Sequence, residues 1–439
     1  MKFAWFTPYS DKSAIGKFSQ TIAHELNSQA EVDLWVPKGA DLLSADLRLI
    51  PFTSEEDLSG RLAPYDFLIY NLGDHLGFHK DIYDISKRHQ GIVILHDFMM
   101  HHFFYAYHLV QNKDPDAYVN DMTFYYGDEG RNTAVSMVQG KTPPEWDLEI
   151  MRYPFWEKAV EGALGVVCHS YFLADRIGEK ILPPVGMIRM PFYQEPAAAA
   201  ELDREAWGIP RDTLLLVTLG HVNFNKRIDR VIEYIGKHHE LRDRVYYACI
   251  GSYDHNPQFA QYAALINQYA LQDRVKFFGY QPDPVLHSFM ASADVFVNLR
   301  YPVMEGGSAS LVEQMSYGKP VIVTDAGHYS ELPDDCVVKI SREQDEDSFA
   351  GALRMLAAHE SVRRDIGSRG RNFVAQECTV RQYCSELLEY LPEVTRRRPA
   401  CDLADRVARE FSVMKVARSL GAVDDVANEI SRMFSSESV

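Results

Sequence analysis

The sequence predicts an α/β protein. Two doubly wound domains, each a parallel sheet covered by helices, are expected to face a central cleft, with a helical annex at the C-terminus. Three observations carry this. The chain has 439 residues, enough for two domains of about 100–200 residues and an annex. Short β-branched and aromatic runs alternate with helix-length amphipathic stretches, the pattern of βαβ units. The alternation also stops once and restarts, across a stretch of linker composition.

In the first half the runs are Lys2–Phe6, Glu31–Val36, Phe67–Tyr70, Ile92–His96, Gly165–His169 and Val185–Met190. They place a first domain over 1–193. Residues 194–212 hold Pro196, four alanines, acidic residues and Pro210, and read as the linker. Leu214–Leu219, Val245–Ile250, Val275–Phe278, Asp294–Leu299, Pro320–Thr324 and Cys336–Ile340 then place a second domain over 213–376, followed by a crossover helix at 377–391. Two regions break the rhythm. Residues 102–156 lack a clear strand but carry Phe103, Phe104, Tyr105, Tyr107, Phe124, Tyr125 and Tyr126. This is a helical insertion whose aromatics are either core or a binding surface. After Leu391, the run Arg396–Pro399 ends the globular pattern. Leu403, Val407, Phe411 and Met414, then Val423, Val426, Ile430 and Met433, recur at helical spacing about Gly421. The expectation is a helical hairpin over 392–439, packed on its own chain or across a homodimer. Its polar faces mix Arg406, Arg409 and Lys415 with Asp405, Glu410 and Asp424, where a membrane-surface helix would be more uniformly basic.

Composition removes several function classes. With 62 acidic and 45 basic residues the net charge is −17, so the chain is a poor general binder of nucleic acid. No run approaches the roughly 18 apolar residues of a membrane span. The N-terminus enters a strand at once, without a signal-peptide core. Six scattered cysteines without metal-ligand spacing fit a reducing cytoplasm. No Gly-x-Gly-x-x-Gly follows a strand, which disfavours a dinucleotide oxidoreductase. Ligands of doubly wound domains sit outside the carboxyl ends of strands, so functional residues are sought there.

The most informative segment runs from Asn298 to Thr324. A strand ends near Leu299, a loop carries Glu305-Gly306-Gly307, and a helix is expected from Ser308 to Tyr317 with Gly318 as its stop. The helix N-terminus offers unpaired N–H groups and a positive dipole end, an anion site. Gly306 and Gly307 would let a ligand approach the backbone. Glu313 follows about five residues into the helix, roughly 8 Å along its axis. Carboxylates on either side of an anion site can grip hydroxyls at both ends of a diphosphate-bridged molecule, and a nucleotide sugar is such a molecule.

The Glu-(seven residues)-Glu spacing, with Gly-Lys-Pro-Val-Ile-Val-Thr after it, resembles glycosyltransferase family 4. These are retaining enzymes of the GT-B fold, built from two Rossmann-like domains. The resemblance covers residues 1 to about 391. It implies that Glu305, with Gly306 and Gly307, holds the donor sugar and that Glu313 holds the ribose. Gly307 and Ser308 would hold the diphosphate. After Leu214–Leu219, Lys226 matches the family's diphosphate lysine, whereas His221 stands where an arginine is expected; Arg227 is the other candidate for that charge. Gly16, in the turn Ser13–Gly16, corresponds to a glycine that admits donor phosphates and acceptor, although a lone glycine here also reads as an ordinary loop residue. His96 corresponds to a histidine near the transferred sugar and is expected to be catalytic with Glu305. Asp97, His101 and His102 are assigned to the acceptor, Asp97 also as the group that orients His96. Tyr280 falls where the nucleotide base is bound.

The resemblance further implies a hexosyltransferase with no cofactor and no metal. No Asp-x-Asp follows a strand, although His96-Asp97 and His101-His102 keep a cation site as the competing reading. Its partners are a nucleotide sugar and a glycan or lipid-linked glycan, and no nucleic acid. The insertion looks like that of bacterial enzymes of capsule, exopolysaccharide or lipopolysaccharide synthesis, which allows peripheral contact with the cytoplasmic face of the inner membrane. The rival readings are a nucleotide-sugar 2-epimerase of the same fold and a non-catalytic nucleotide-sugar-binding scaffold. Donor sugar, base and acceptor linkage are not legible in the residues.

Overall fold

The computed structural model describes residues 1–10, 12–39, 46–141, 150–192, 200–253, 258–414 and 422–434. The chain divides into two compact units. The first holds Met1–Arg189, Met304–Gly307 and Val380–Val439; the second holds Met190–Val303 and Ser308–Thr379.

The first unit is built on seven strands: β1 (Lys2–Phe6), β2 (Glu31–Pro37), β3 (Leu49–Phe52), β4 (Phe67–Leu72), β5 (Ile92–Leu95), β6 (Gly165–Cys168) and β7 (Val185–Met187). Their order is β3-β2-β1-β4-β5-β6-β7, every pairing parallel. β5 and β6 are buried at every residue, as expected of parallel strands covered on both faces. The order reverses between β1 and β4, the switch point where doubly wound sheets bind ligands. β3 is an addition to the expected strands, its four-residue run being interrupted by Pro51. It lies at the sheet edge, where a residue without an N–H is tolerated.

The insertion forms a helix at His101–Tyr105, a π-helical stretch at Ala106–Gln111 and a helix at Pro115–Val138 broken by Gly127 at φ 64. Residues 142–149 lie outside the described residues. Phe103 and Phe104 are fully buried, and Tyr105, Tyr107, Tyr125 and Tyr126 pack against the same core. The aromatic density is therefore core, with Phe124, 54% exposed, as the exception. A lysine, lowered by burial to about 7, staples this region. Lys87 Nζ donates to the carbonyls of Lys158 (2.8 Å), Ala159 (3.3 Å) and Glu161 (2.6 Å) at the end of helix Trp156–Val160. Lys87→Met is expected to cost about 1–3 kcal/mol in urea unfolding, since three carbonyls lose their donor.

The break expected after Leu391 is absent. One helix runs from Val380 to Val413, through Pro392 and Pro399, so the crossover helix and the first tail helix are a single element. Tyr383, Cys384, Leu387, Leu391, Val394, Ala400 and Cys401 form its buried stripe. Tyr390 Oη adds bonds to the carbonyls of Pro184 (2.6 Å) and Val166 (3.2 Å). Packing of that stripe outweighs the N–H bonds that the prolines lack. A second helix spans Ala422–Met433, anchored by buried Ile430. Met414 and Met433, expected on packed stripes, are 62% and 59% exposed. Residues 194–199 of the linker, Lys415 and Gly421 lie outside the described residues. Among the described residues no helix is long and apolar enough to cross a membrane.

The second unit carries β8 (Leu214–Leu219), β9 (Val245–Ile250), β10 (Val275–Gly279), β11 (Val295–Asn298), β12 (Val321–Thr324) and β13 (Val338–Ile340), in the parallel order β10-β9-β8-β11-β12-β13. Its switch point lies between β8 and β11. The three neighbouring strands β8, β9 and β10 meet Gly220, Gly251 and Gly279, at φ 86, 153 and 69. A Cβ on Gly251 would lie 2.1 Å from the Gly220 carbonyl oxygen, so the two strand ends touch backbone to backbone.

Candidate functional site

Each switch point gathers its own set of side chains. In the first unit, helix Ala14–Leu26 starts over the loop after β1, with Ser13 Oγ accepting from Gly16 N at 3.2 Å. A Cβ on Gly16 would fall 2.6 Å from the Pro8 carbonyl and 2.7 Å from that of Ser10. The missing side chain is thus required by the loop's own backbone. His96, after β5, is buried; its Nε2 lies 3.1 Å from Asn71 Oδ1, while Asn71 Nδ2 donates to the Phe6 carbonyl at 2.9 Å. The partner that orients His96 is therefore Asn71, not the expected Asp97. Its ring packs on Phe18 and His169, at centroid distances of 4.9 and 5.1 Å. Burial, then His169 and His79, hold the imidazole well below its ordinary range, so it is neutral at neutral pH.

Asp97 turns the other way. Its Oδ2 accepts from Asp74 N at 2.9 Å, and its backbone forms an antiparallel bridge with Glu305. Burial first, then the Asp74 and Glu305 carboxylates, push Asp97 up to about 7. His102 Nδ1 lies 3.1 Å from Asp74 Oδ2, and Asp74 Oδ1 accepts from Phe103 N at 2.9 Å. His101 does not join them. Its Nδ1 faces the Tyr153 carbonyl (2.6 Å), its Nε2 faces Tyr118 Oη (2.7 Å), and it is fully buried. It is a core histidine, and the acceptor role expected of it has no ring nitrogen to use. The three histidines of the competing cation reading thus face different partners. Among the described residues no group of three or more His, Cys, Asp or Glu is placed to hold a metal ion.

The segment Met304–Gly307 packs with the first unit, although the expected boundaries put it in the second domain. The Met304 carbonyl accepts from Phe98 N (3.0 Å) and Met99 N (3.1 Å), and Gly306 N donates to the His96 carbonyl (2.9 Å). A Cβ on Gly306 would lie 2.8 Å from Leu173 Cδ2 and 3.1 Å from the His96 carbonyl; one on Gly307 would lie 2.7 Å from His169 Cβ. On the face where a side chain would stand, both glycines thus meet the chain itself. Their bare faces meet the ends of β5 and β6, and this is what lays Glu305 beside Asp97.

In the second unit, the helix occupies Ala309–Ser316, with Ser308 as its cap, Oγ accepting from Leu311 N at 3.3 Å. The cap uses a lone pair of that hydroxyl, so its hydrogen can still be donated to an anion beside the helix N–H groups. Glu313 is half-buried on this helix. Lys226 is buried, and its ammonium donates to the Leu219 carbonyl at the end of β8. His221 is exposed, with Nδ1 2.9 Å from Ser252 Oγ. Arg227, at φ 53, lies 5.7 Å from the centre of the Tyr301 ring and 3.9 Å from Asp345. Tyr280 is 76% exposed beyond β10. Sequence reasoning missed Arg300, a buried cation just past β11 with Nη1 on the Leu299 carbonyl at 2.9 Å. It also missed Asn71, Asp74 and His169. Arg300 and Asp74 each follow a legible strand run, so their placement was the available signal.

The second switch point can hold an anion on cations and helix N–H groups. The first offers carboxylates and neutral imidazoles suited to hydroxyls. Two parallel, doubly wound sheets of this kind are the GT-B fold of glycosyltransferases. Residues 199–373 match the family model for glycosyl transferases group 1. HepE of Anabaena, solved with UDP-glucose, is 16% identical over 89% of this chain and 99% of that chain, with a TM-score of 0.59. Sucrose-phosphate synthase from Thermosynechococcus elongatus gives 15%, 90%, 99% and 0.58. WaaG, a glycosyltransferase involved in lipopolysaccharide biosynthesis, gives 14%, 88%, 98% and 0.54. At these identities the likeness is one of fold. No curated protein matches the sequence.

Proposed function

We propose that the protein transfers a hexose, with retention, from a nucleotide diphosphate sugar to a glycan or lipid-linked glycan acceptor of bacterial surface polysaccharide synthesis. The observation that carries this reading is the match of residues 199–373 to the group 1 glycosyl transferase model, a span that contains Lys226, Glu305 and Glu313. Lys226 and the helix N-terminus at Ala309 hold the diphosphate and stabilise the charge that develops on it as it leaves. Glu313 binds the ribose, Glu305 the hexose, and Tyr280 lies beside the base. His96, neutral and donating from Nε2 to Asn71 Oδ1, keeps a lone pair on Nδ1 as an acceptor near the transferred sugar. The departing phosphate oxygen takes the acceptor's proton, so attack and departure share one face and no divalent metal is needed. That HepE was solved with UDP and UDP-glucose favours a uridine donor. The reaction belongs in the cytoplasm, where nucleotide sugars are made, with peripheral membrane contact if the acceptor is lipid-linked.

The test is a panel of UDP-glucose, UDP-galactose, UDP-N-acetylglucosamine and GDP-mannose, read by thermal shift and nucleotide release. A donor at 100 times its dissociation constant stabilises by about 2.7 kcal/mol. One or more donors should raise the melting temperature and release nucleotide equally well in excess EDTA. Glu313→Gln should weaken UDP and the UDP-sugar alike, since ribose is common to both. If no donor stabilises the protein, the reading fails; if only the sugar nucleotide is weakened by Glu313→Gln, the ribose role fails.

A further inference from the structure

His169 stands directly after β6, beside His96 directly after β5, and both belong to the first unit. Its Nδ1 lies 3.0 Å from the Ile188 carbonyl. A carbonyl oxygen only accepts, so the ring hydrogen sits on Nδ1 and the lone pair on Nε2. The residue is 5% exposed, and Nε2 is buried with no hydrogen-bond partner. His96 is the mirror case. Its Nε2 donates to Asn71 Oδ1 at 3.1 Å, because Asn71 Nδ2 donates to the Phe6 carbonyl, and its lone pair lies on Nδ1. Burial holds both imidazoles below their ordinary range, His169 at about 4, so neither carries a second hydrogen at neutral pH.

The two ring centres are 5.1 Å apart, yet the bare nitrogens cannot satisfy each other, since each is an acceptor. The other rings against His169 are those of Phe18 and Tyr383, both 5.9 Å away. Phe18 has no polar hydrogen to offer, and Tyr383 Oη makes no hydrogen bond. A buried acceptor without a donor is destabilising, and such a group persists where a ligand or an internal water completes it. The Glu305 loop touches both histidines. Gly306 N donates to the His96 carbonyl (2.9 Å), and a Cβ on Gly307 would lie 2.7 Å from His169 Cβ. Two imidazole lone pairs and a carboxylate make an all-acceptor set, which suits a ligand with several hydroxyl donors on neighbouring carbons. We infer that His169 is a further residue for the transferred hexose, its Nε2 accepting one hydroxyl hydrogen beside another taken by His96 Nδ1. This rests on the glycosyl-transfer reading and adds to it a determinant of sugar specificity, because a sugar without that hydroxyl leaves a buried nitrogen unpaired.

The substitution His169→Asn isolates the nitrogen. The amide N–H it introduces can stand in for Nδ1–H on the Ile188 carbonyl, while nothing replaces Nε2. Calorimetry on the full chain would use UDP-glucose, UDP-galactose, UDP-N-acetylglucosamine and GDP-mannose, each against its free nucleotide, then the monodeoxy forms of the tightest binder. His169→Asn should bind that sugar nucleotide about tenfold more weakly or worse, with the free nucleotide unchanged. One monodeoxy form should show the same loss in wild type and no further loss in the variant, because both changes remove one bond. Imidazole ¹⁵N spectra, with His169 identified by correlation to its own backbone, decide the point in wild type even if the variant fails to fold. They should show Nε2 as the bare nitrogen, shifted by the sugar nucleotide and not by the free nucleotide. The inference is overturned if Nε2 is unmoved by the sugar nucleotide, which would leave it an internal water only. It is equally overturned if His169→Asn binds the sugar nucleotide as wild type does, if it weakens nucleotide and sugar nucleotide alike, or if every deoxy form loses equally in both proteins. Those results leave donor binding itself intact, whereas a wild type that binds none of the four donors sinks the glycosyl-transfer reading and this inference with it.

Discussion

Between pH 6.5 and pH 5.0 the protein is expected to lose about 4 kcal/mol of stability, a large share of the 5–15 kcal/mol typical of folded proteins. His79, His101 and His169 are buried in the first unit, and burial lowers them to about 4, 3 and 4. An unfolded histidine takes up its proton near pH 6.5. Below that pH the unfolded chain binds more protons than the native one, so stability falls with pH until the folded values are reached. Over this interval each of these histidines contributes a loss of about 1.5–2 kcal/mol, and three contribute about 5. His96 works in the same direction. Asp97, raised to about 7, works in the opposite one. Its native form binds the extra proton between about pH 4 and 7, which offsets up to about 2 kcal/mol over the same interval. Urea unfolding at the two pH values measures the sum. His79→Asn and His101→Gln should each be less stable at pH 7 yet flatten the dependence by about 2 kcal/mol. A stability that stays level from pH 6.5 to 5.0, or a slope unmoved by both variants, would refute the assignment.

The same residues mark what a sequence can and cannot disclose. The strand runs of both sheets were legible, because parallel strands buried on two faces read as unbroken apolar segments bounded by turns. Ser308 announced a helix start by its chemistry. β3 escaped because its four residues contain Pro51, and the helix through Pro392 and Pro399 escaped because only tertiary packing offsets the cost of two prolines. His101 and His102 are adjacent and chemically identical in sequence. They separate in the fold because one ring meets Tyr153 and Tyr118 while the other meets Asp74. The pairing of Asp74 with His102 joins the ends of β4 and β5 across 28 residues, which no local spacing encodes. The direction of a glycine's bare face is equally invisible. Gly306 and Gly307 read as room for a ligand, and the face that a Cβ would take on each is occupied by the chain itself.

That packing leads to the largest expected effect on activity. Glu305 is held beside Asp97 by the backbone bridge, by the Gly306 N bond to His96, and by contact of Gly307 with His169. If its carboxylate grips the hexose more tightly as charge develops at the anomeric carbon, Glu305→Gln should lower turnover more than donor affinity. A charged hydrogen bond of about 1.5–3 kcal/mol corresponds to about 10–150-fold. Gly307→Ala leaves every functional group in place but puts a Cβ 2.7 Å from His169 Cβ, the rigid root of a buried side chain. The loop must shift, and displacement of a reacting group by about 1 Å can cost about 100-fold. Both losses pass through one carboxylate, so they should not add. The double variant Glu305→Gln/Gly307→Ala should turn over about as slowly as the worse single variant, a coupling that a double-mutant cycle measures directly. Multiplied losses would mean that Gly307 serves some other part of the site, and an unchanged turnover number for Glu305→Gln would remove that carboxylate from the reaction.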